Sequence, residues 1–374
     1  MAQFEELRAY LDSIPQKEIA PCCDMAVMRH HEVLFRHMAG TTELHGTKPV
    51  SKDTLYYLYS CTKPITAAAA MRLWQDGKLD LSAPVAYYLP EAAKTCYPKD
   101  GALVPVGDRM KVFHLLTMTA GFNYDLEAEP QRRLAAENPN CTTQEYVRAI
   151  LASPLGFAPG ERFEYSLCLD VLGAVIEKAA DENFGDYLKK TIFDPLGMQN
   201  TRFAKKGEHP ENLAGQYRQF GEAAIEAEEK NVFLIGDNFQ SGGAGLFSTT
   251  DDYILFADAM ACGGIGKTGE RILFSETVDE MRRERLSAVA KNPSFGCAAG
   301  PGYGYGYGVR TLIDRSAGQR SPLGEFGWDG AAGAYILMDP TNEISIVYMQ
   351  QVMGWPGPLK CHMPVRDLAY EAIF

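Results

Sequence analysis

Residues 59–64 read Tyr59-Ser60-Cys61-Thr62-Lys63-Pro64, between a strand-like run at residues 55–59 and an alanine-rich run at residues 65–75. The alanine-rich run contains no glycine and stops at Gly77, which predicts a helix with a glycine just beyond its C-terminus. Ser60 is therefore predicted to stand at a strand-to-helix junction, where free backbone N–H groups favour a developing negative charge.

Lys63 follows Ser60 by three residues, so the two side chains share one face of the predicted helix. A lysine that loses hydration on burial can accept a proton and activate a neighbouring hydroxyl. The S-x-x-K string alone is expected about once by chance in such a chain, and a solvated helix start would give the same residues. Because this helix is apolar, which indicates burial, we interpret Ser60 as a nucleophile and Lys63 as its activating base.

Tyr165 is a second candidate, in the stretch Pro159-Gly160-Glu161-Arg162-Phe163-Glu164-Tyr165-Ser166-Leu167. It follows a Pro-Gly turn and precedes a predicted helix over residues 168–180, so it can project inward from a loop. A tyrosine phenol becomes a useful proton shuttle only beside a positive group such as Lys63. A tyrosine near a turn is most often a packing residue, so Tyr165 gains its predicted role only from the other motifs.

A third candidate stretch, Phe326-Gly327-Trp328-Asp329-Gly330-Ala331-Ala332-Gly333, precedes two β-rich runs at residues 334–338 and 344–350. The turn-forming Asp339-Pro340-Thr341-Asn342 between those runs predicts a hairpin. Small residues at Gly330 and Ala331 would let the backbone approach a substrate and donate an N–H. The N–H groups of Ser60 and Ala331 are then predicted to form an oxyanion hole. The alternative is a glycine-rich turn with a buried tryptophan.

Taken in order, these motifs resemble those of serine β-lactamases, DD-peptidases and their esterase relatives. Further strings resemble the same group: His114-Leu115-Leu116-Thr117-Met118-Thr119-Ala120-Gly121-Phe122, Asp194-Pro195-Leu196-Gly197-Met198 and Ser241-Gly242-Gly243-Ala244-Gly245-Leu246-Phe247-Ser248-Thr249. The resemblance implies an α/β fold of the β-lactamase/transpeptidase-like type, with an antiparallel sheet flanked by helices and a mainly helical subdomain. We expect a single domain over residues 1–374, in which residues 1–59 and about 220–374 form the α/β subdomain and residues from about 60 to 219 the helical one.

Two departures from the motifs of class C β-lactamases indicate which members of this group the chain resembles. Leu167 stands where class C β-lactamases carry an asparagine, and Trp328-Asp329-Gly330 stands where they carry K-T-G. An anionic substrate would lose its cationic partner at that position. The pattern is similar to that of family VIII carboxylesterases, which implies uncharged esters with small acyl groups. We expect Trp328, Gly330 and Leu167 to contact the substrate, and we interpret the literal Lys267-Thr268-Gly269 as a surface loop.

The resemblance implies an acyl-enzyme mechanism. Lys63, assisted by Tyr165, removes the proton of Ser60, which attacks the ester, and Tyr165 protonates the leaving alkoxide. Which of Lys63 and Tyr165 is the principal base stays open. The alternatives are a β-lactamase or D-amino-acid peptidase using the same serine, an acyltransferase, and a catalytically silent penicillin-recognising module. A peptidase would need a cation near Trp328, for which Arg310 or Lys360 could serve.

Composition limits the partners. The net charge of −12 and the pI near 5.2 argue against nucleic acid and against an anionic membrane surface. The N-terminus lacks the layout of a secretory signal, and nine cysteines without a C-x-x-C pair indicate reduced thiols of a cytoplasmic protein. The seven histidines show no metal-ligand spacing, and His30-His31 is expected in a solvated turn. We expect no metal and no organic cofactor, and a small-molecule ester as the partner.

Overall fold

The computed structural model describes residues 2–219, 221, 225–227, 231–286, 300–354 and 358–374. Its α-helices are α1 (Glu5–Gln16), α2 (Thr62–Gln75), α3 (Val85–Tyr88), α4 (Val112–Leu116), α5 (Glu129–Glu137), α6 (Thr143–Leu151), α7 (Cys168–Ala180), α8 (Phe184–Leu188), α9 (Asp194–Leu196), α10 (Thr250–Ala261), α11 (Ser275–Arg282) and α12 (His362–Ile373). Short 3₁₀ turns lie at Ala2–Phe4, Tyr59–Cys61, Pro90–Lys94 and Pro358–Cys361, and a π-helical turn lies at Lys189–Phe193.

The described strands fall into one large sheet and three small ones. They are β1 (Cys22–Arg29), β2 (Glu32–Gly40), β3 (Tyr56–Tyr57), β4 (Cys96–Lys99), β5 (Ala102–Pro105), β6 (Arg202–Phe203), β7 (Tyr217–Arg218), β8 (Glu226–Ala227), β9 (Leu246–Ser248), β10 (Tyr303–Tyr305), β11 (Arg310–Leu312), β12 (Phe326–Asp329), β13 (Tyr335–Asp339), β14 (Ile344–Met349) and β15 (Val352–Met353).

The large sheet has seven antiparallel strands in the order β10-β11-β12-β13-β14-β1-β2. Strands from the two ends of the chain meet where β1 pairs with β14, with Val27 opposite Ile346. The sequence pattern predicts an antiparallel sheet built from both ends and flanked by helices, and the structure confirms that α/β class.

Both faces of this sheet are covered. Alternate residues of β1 and β14, such as Val27 and Ile346, pack in a core with α1 and α12. Their neighbours in the strands, such as Ala26 and Val347, pack in the larger core that contains α2, α7 and α10. This period of two is what a strand buried on both faces requires, and it fixes the register of the sheet.

Several local predictions are confirmed. Helix α7 has the predicted bounds, and α2 ends at Gln75 with Gly77 at φ +70°. The turn between β13 and β14 is closed by Asp339, whose carboxylate accepts the N–H groups of Thr341 and Asn342 at 2.9 and 3.2 Å. Residues 267–269 form an exposed turn, as expected for a K-T-G string without a site.

One part of the predicted helical middle is a hairpin instead. Strands β4 and β5 pair across Asp100 and Gly101, both of which have positive φ angles. Asp-Gly is a strong two-residue hairpin signal because both positions tolerate that backbone conformation. The helical interpretation of this stretch overlooked that dipeptide.

Among the described residues, no helix is both long enough and apolar enough to cross a membrane. Eight cysteines are described, and all eight are free thiols. Cys297, the ninth, lies outside the described residues.

Candidate active site

Ser60 lies in the 3₁₀ turn Tyr59–Cys61 that leads directly into α2. Tyr59 is fully buried and has a φ of +46°, a left-handed conformation that is strained for a tyrosine. The phenol of Tyr253 on α10 donates to the carbonyl of Cys61 at 2.6 Å and holds the start of α2 in place. The surrounding core therefore maintains a sharp turn that leaves Ser60 half-buried rather than enclosed.

The Ser60 hydroxyl has two basic groups within hydrogen-bond distance. Lys63 Nζ lies 3.0 Å from Ser60 Oγ, and the Tyr165 phenol oxygen lies 2.7 Å from it. Lys63 Nζ also lies 4.8 Å from the centroid of the Tyr165 ring. Either neighbour is close enough to take the serine proton once it has itself lost a proton, which is the geometry that an activated nucleophile needs.

Two other aromatic rings stack on Tyr165. The Tyr124 ring lies 5.5 Å from it and the Trp328 ring 5.6 Å, measured between centroids. The Trp328 indole N–H also donates to the Tyr165 phenol oxygen at 3.2 Å. This hydrogen bond and the stacking hold the Tyr165 phenol oxygen beside Ser60.

Lys63 is fully buried and makes three hydrogen bonds. Besides Ser60, it donates to the carbonyl oxygen of Gly243 at 2.7 Å and to the phenol oxygen of Tyr124 at 3.3 Å. Burial raises the pKa of Tyr124, so that phenol stays neutral and accepts from the lysine. These contacts leave the ammonium group one orientation, directed at Ser60.

The loop that carries Gly243 is anchored by Asp170 on α7. Its buried carboxylate accepts a hydrogen bond from the Ser241 hydroxyl and the N–H of Gly243, the latter at 3.3 Å. Burial raises the pKa of Asp170, while the hydrogen bond from Ser241 and the charge of Lys63 oppose the rise. A Cβ at Gly243 would lie 2.6 Å from Asp170 Oδ2, so only glycine fits here without movement.

The third motif supplies an exposed backbone N–H. Ala331 is exposed at the end of β12, and no described group accepts a hydrogen bond from its N–H. Gly330 has a packing role of its own. Its N–H donates to the carbonyl of Ala334 at 2.8 Å, and a Cβ there would lie 2.6 Å from the carbonyl oxygen of Leu58. Gly330 is therefore required for close packing of the protein backbone, and its contact with substrate stays a prediction.

An ion cluster lies behind this motif. Asp329 pairs with the buried Arg310 at 2.5 Å and lies 3.6 Å from His362 Nδ1. The other nitrogen of His362 lies 3.0 Å from the carbonyl oxygen of Gly333. Burial alone would raise the pKa of Asp329, but the charges of Arg310 and His362 outweigh it and hold the pKa below its usual value. The negative charge of Asp329 is thus balanced by groups of the protein itself. The cluster also stabilises the turn that carries Ala331.

Leu167 is a buried residue next to the site, and its contact with substrate stays a prediction. Its side chain is 2% exposed and packs in the large core at the start of α7. Trp328 is equally buried, but its indole contacts Tyr165 directly. The structure therefore brings together Ser60, Lys63, Tyr165 and Trp328, and leaves Leu167 as a packing residue beneath them.

Three residues around Lys63 were not predicted from the sequence: Tyr124, Asp170 and Gly243. Tyr124 follows the family-like string of residues 114–122 by two positions, and Gly243 lies inside the string of residues 241–249. Their positions in or near these strings were the only signal in the sequence. The contacts themselves could not be predicted, because Lys63 is 61 positions from Tyr124 and 180 positions from Gly243.

Comparison with known proteins agrees with this geometry. The family model described as Beta-lactamase matches residues 7–369. Esterase EstB of Burkholderia gladioli is 30% identical over 373 residues, covering 92% of this chain and 89% of the relative. Protein Rv1367c of Mycobacterium tuberculosis is 28% identical over 361 residues, covering 90% of this chain and 89% of the relative. The solved structure of "EstCE1, a hydrolase with promiscuous acyltransferase activity" superposes with a TM-score of 0.81 at 28% identity, covering 99% of both chains.

The fold is thus the β-lactamase/transpeptidase-like one that the motifs imply, built around a serine with a lysine three residues later. The chain belongs to the Beta-lactamase family.

Proposed function

We propose that the protein is a serine carboxylesterase that cleaves small uncharged esters through an acyl-enzyme on Ser60. The observation that carries the proposal is the position of Ser60 Oγ, 3.0 Å from Lys63 Nζ and 2.7 Å from the Tyr165 phenol oxygen. The similarity to EstB and to EstCE1 supports ester cleavage by the same superfamily. Acyl transfer to an alcohol would use the same intermediate, and EstCE1 is described as a hydrolase with that second activity.

The proposed reaction has two halves. Lys63 or Tyr165 takes the Ser60 proton as Oγ attacks the ester carbonyl, and the N–H groups of Ser60 and Ala331 stabilise the oxyanion. Tyr165 returns a proton to the alkoxide as the carbon–oxygen bond to the alcohol breaks. Water then attacks the acyl-serine, losing its proton to the same base, and the acid is released as Ser60 recovers its hydrogen.

The charges near the third motif support a neutral substrate. Arg310, one of the two cations that a peptidase could have used, is buried and bound to Asp329. A guanidinium held this way makes its charge-assisted hydrogen bonds to the protein and has none to offer a substrate carboxylate. The other cation, Lys360, is exposed in the turn Pro358–Cys361. We also propose a cytosolic location, which the free thiols support.

Substrate choice tests the proposal. We expect turnover of p-nitrophenyl acetate and butyrate, weaker turnover of the octanoate, and slow or absent cleavage of nitrocefin. The hemisuccinate p-nitrophenyl ester, matched to the butyrate in chain length but carrying a carboxylate, should react roughly tenfold more slowly because it lacks a cationic partner. Spectrophotometric release of p-nitrophenol gives the rates. Fast nitrocefin cleavage would instead favour a β-lactamase, and no reaction with any ester would favour the silent module.

Gly243→Ala tests the support of Lys63. The added Cβ would lie 2.6 Å from Asp170 Oδ2, so the loop must shift and move its carbonyl from Lys63. We expect kcat/KM for p-nitrophenyl butyrate to fall by about 10–100-fold, since small misplacements at a reacting centre have effects of this size. Gly156→Ala is the matched control, because its added Cβ would lie no closer than 3.8 Å to another atom. Equal rates for the two variants would show that the loop does not position the lysine.

A further inference from the structure

The side chains of His31, Asp258 and Cys262 lie together where the β1–β2 turn reaches the C-terminal end of α10. All three are residue types that can bind a metal ion. His31 Nδ1 lies 2.7 Å from Asp258 Oδ2, and Cys262 Sγ lies 3.8 Å from Asp258 Oδ1. One donor atom from each residue fits within 4.8 Å of the others. His31 and Asp258 are 227 positions apart in the sequence. The spacing of the histidines therefore could not reveal this cluster.

The histidine is held in this position by the backbone. His30 and His31 form a two-residue turn between the paired Arg29 and Glu32, with φ angles of +50° and +67°. The His31 N–H donates to Asp258 Oδ1 at 3.3 Å, so both the backbone and the ring of His31 face the carboxylate. The predicted solvated turn is thus only half correct: the His31 side chain is 32% exposed and contacts a carboxylate that is 1% exposed.

The three groups contact one another through a pairing of His31 with Asp258 and a long hydrogen bond from the Cys262 thiol to the same carboxylate. Cys262 follows Asp258 by four residues, so both side chains lie on one face of α10 and its cap. A thiolate, an imidazole and a carboxylate together are the donor set of zinc-class ions, whereas Mg²⁺ and Ca²⁺ select oxygen ligands.

The donor separations also suit such an ion. Bonds of about 2.0–2.3 Å in a tetrahedral site place donor atoms roughly 3.5 Å apart. The observed separations are 2.7 Å from His31 Nδ1 to Asp258 Oδ2 and 3.8 Å from Cys262 Sγ to Asp258 Oδ1, and one donor from each residue lies within 4.8 Å of the others. Shifts of about 1 Å would bring these donors to tetrahedral spacing, and a water molecule would be the fourth ligand.

We propose that His31, Asp258 and Cys262 bind a divalent transition-metal ion of the zinc class. This inference departs from the sequence-based expectation of no metal and is independent of the proposed esterase activity. On binding, the Cys262 thiol gives its proton to solvent and forms a metal–sulfur bond, and the carboxylate and imidazole add their lone pairs. The ion would join the β1–β2 turn to the end of α10 and so stabilise the contact between the sheet and that helix.

Cobalt(II) is the probe for the test, because a thiolate ligand gives it a near-ultraviolet charge-transfer band and a tetrahedral site gives it strong visible bands. The full chain, freed of metal by a chelator and kept reduced, is titrated with Co²⁺ and then with Zn²⁺ as competitor. We expect one equivalent of Co²⁺ to develop both bands and Zn²⁺ to remove them. Thermal unfolding with Zn²⁺ in excess should shift to higher temperature, and Mg²⁺ and Ca²⁺ should have no effect.

Four variants assign the site. Cys262→Ser should abolish the charge-transfer band, and His31→Ala should weaken Co²⁺ binding by more than the roughly 10–100-fold that loss of an outer-shell partner causes. His30→Ala, in the same turn but paired with Glu343, and Cys96→Ser, a partly exposed thiol elsewhere, are matched controls that should bind like the wild type. Circular dichroism verifies that each variant is folded. If the wild type gives no band, or if His31→Ala and Cys262→Ser bind as well as the controls, the three residues form only an ion pair beside a thiol.

Discussion

Ser60→Ala is expected to lower kcat/KM for p-nitrophenyl butyrate by about 10⁴-fold or more, because the variant lacks the oxygen that forms the acyl-enzyme. The variant should keep the wild-type fold, since Ser60 is half-buried and its hydroxyl contacts the polar groups of the site, Lys63, Tyr165 and Tyr124, and, among the described residues, no part of the apolar core. Initial rates from p-nitrophenol release, with circular dichroism alongside, measure both expectations.

Covalent labelling makes the same test independent of substrate choice. A fluorophosphonate should modify the wild type once, on the peptide that contains Ser60, and should leave Ser60→Ala unlabelled. Ser13→Ala, on α1, is the control and should match the wild type in rate and labelling. A Ser60→Ala variant that hydrolyses the ester at the wild-type rate would contradict the mechanism proposed for this site.

Arg310→Met is expected to lower the free energy of unfolding by about 3 kcal/mol, because it leaves the partly buried carboxylate of Asp329 with only His362 beside it. The guanidinium is 2% exposed and also lies over the rings of Tyr303 and Tyr335, so its removal loses packing as well. Urea and thermal unfolding measure the change.

A variant that removes both charges distinguishes the energetic effect of the ion pair from that of the lost packing. Arg310→Met combined with Asp329→Asn should recover a large part of the lost stability, since no unpaired charge then remains. Arg133→Met is the matched control: its partner Glu129 is exposed, and loss of such a pair changes stability by less than about 1 kcal/mol. If Arg310→Met costs no more than Arg133→Met, the cluster around Asp329 does not stabilise the fold.

The sequence predicted those features that depend on local spacing. The three-residue interval between Ser60 and Lys63 places both on one side of the α2 start, and the helix that follows Tyr165 has the predicted bounds. The closing hairpin was also predictable, because Asp339 and its neighbours are strong turn formers. Each of these conclusions needs only the periodicity of a helix or strand and the chemistry of a turn.

The sequence could not predict contacts between distant segments. Asp170 reaches Gly243 across 73 positions, and Lys63 reaches the same residue across 180. Asp329 follows the predicted substrate residue Trp328 in the sequence, and only the fold brings Arg310 and His362 against it. Gly330 illustrates the same limit: the backbone that requires a glycine there is that of Leu58, far back in the chain.

The pairing of β1 with β14 also determines when the molecule can fold. These strands lie at opposite ends of the chain, and Gln351 adds a hydrogen bond of 2.9 Å to the carbonyl of Tyr57, 294 positions earlier. Such a high contact order slows folding. On the ribosome β1 can form its hairpin with β2 early, but it gains β14 only when almost the whole chain has been synthesised. The large sheet is therefore completed only near the end of synthesis.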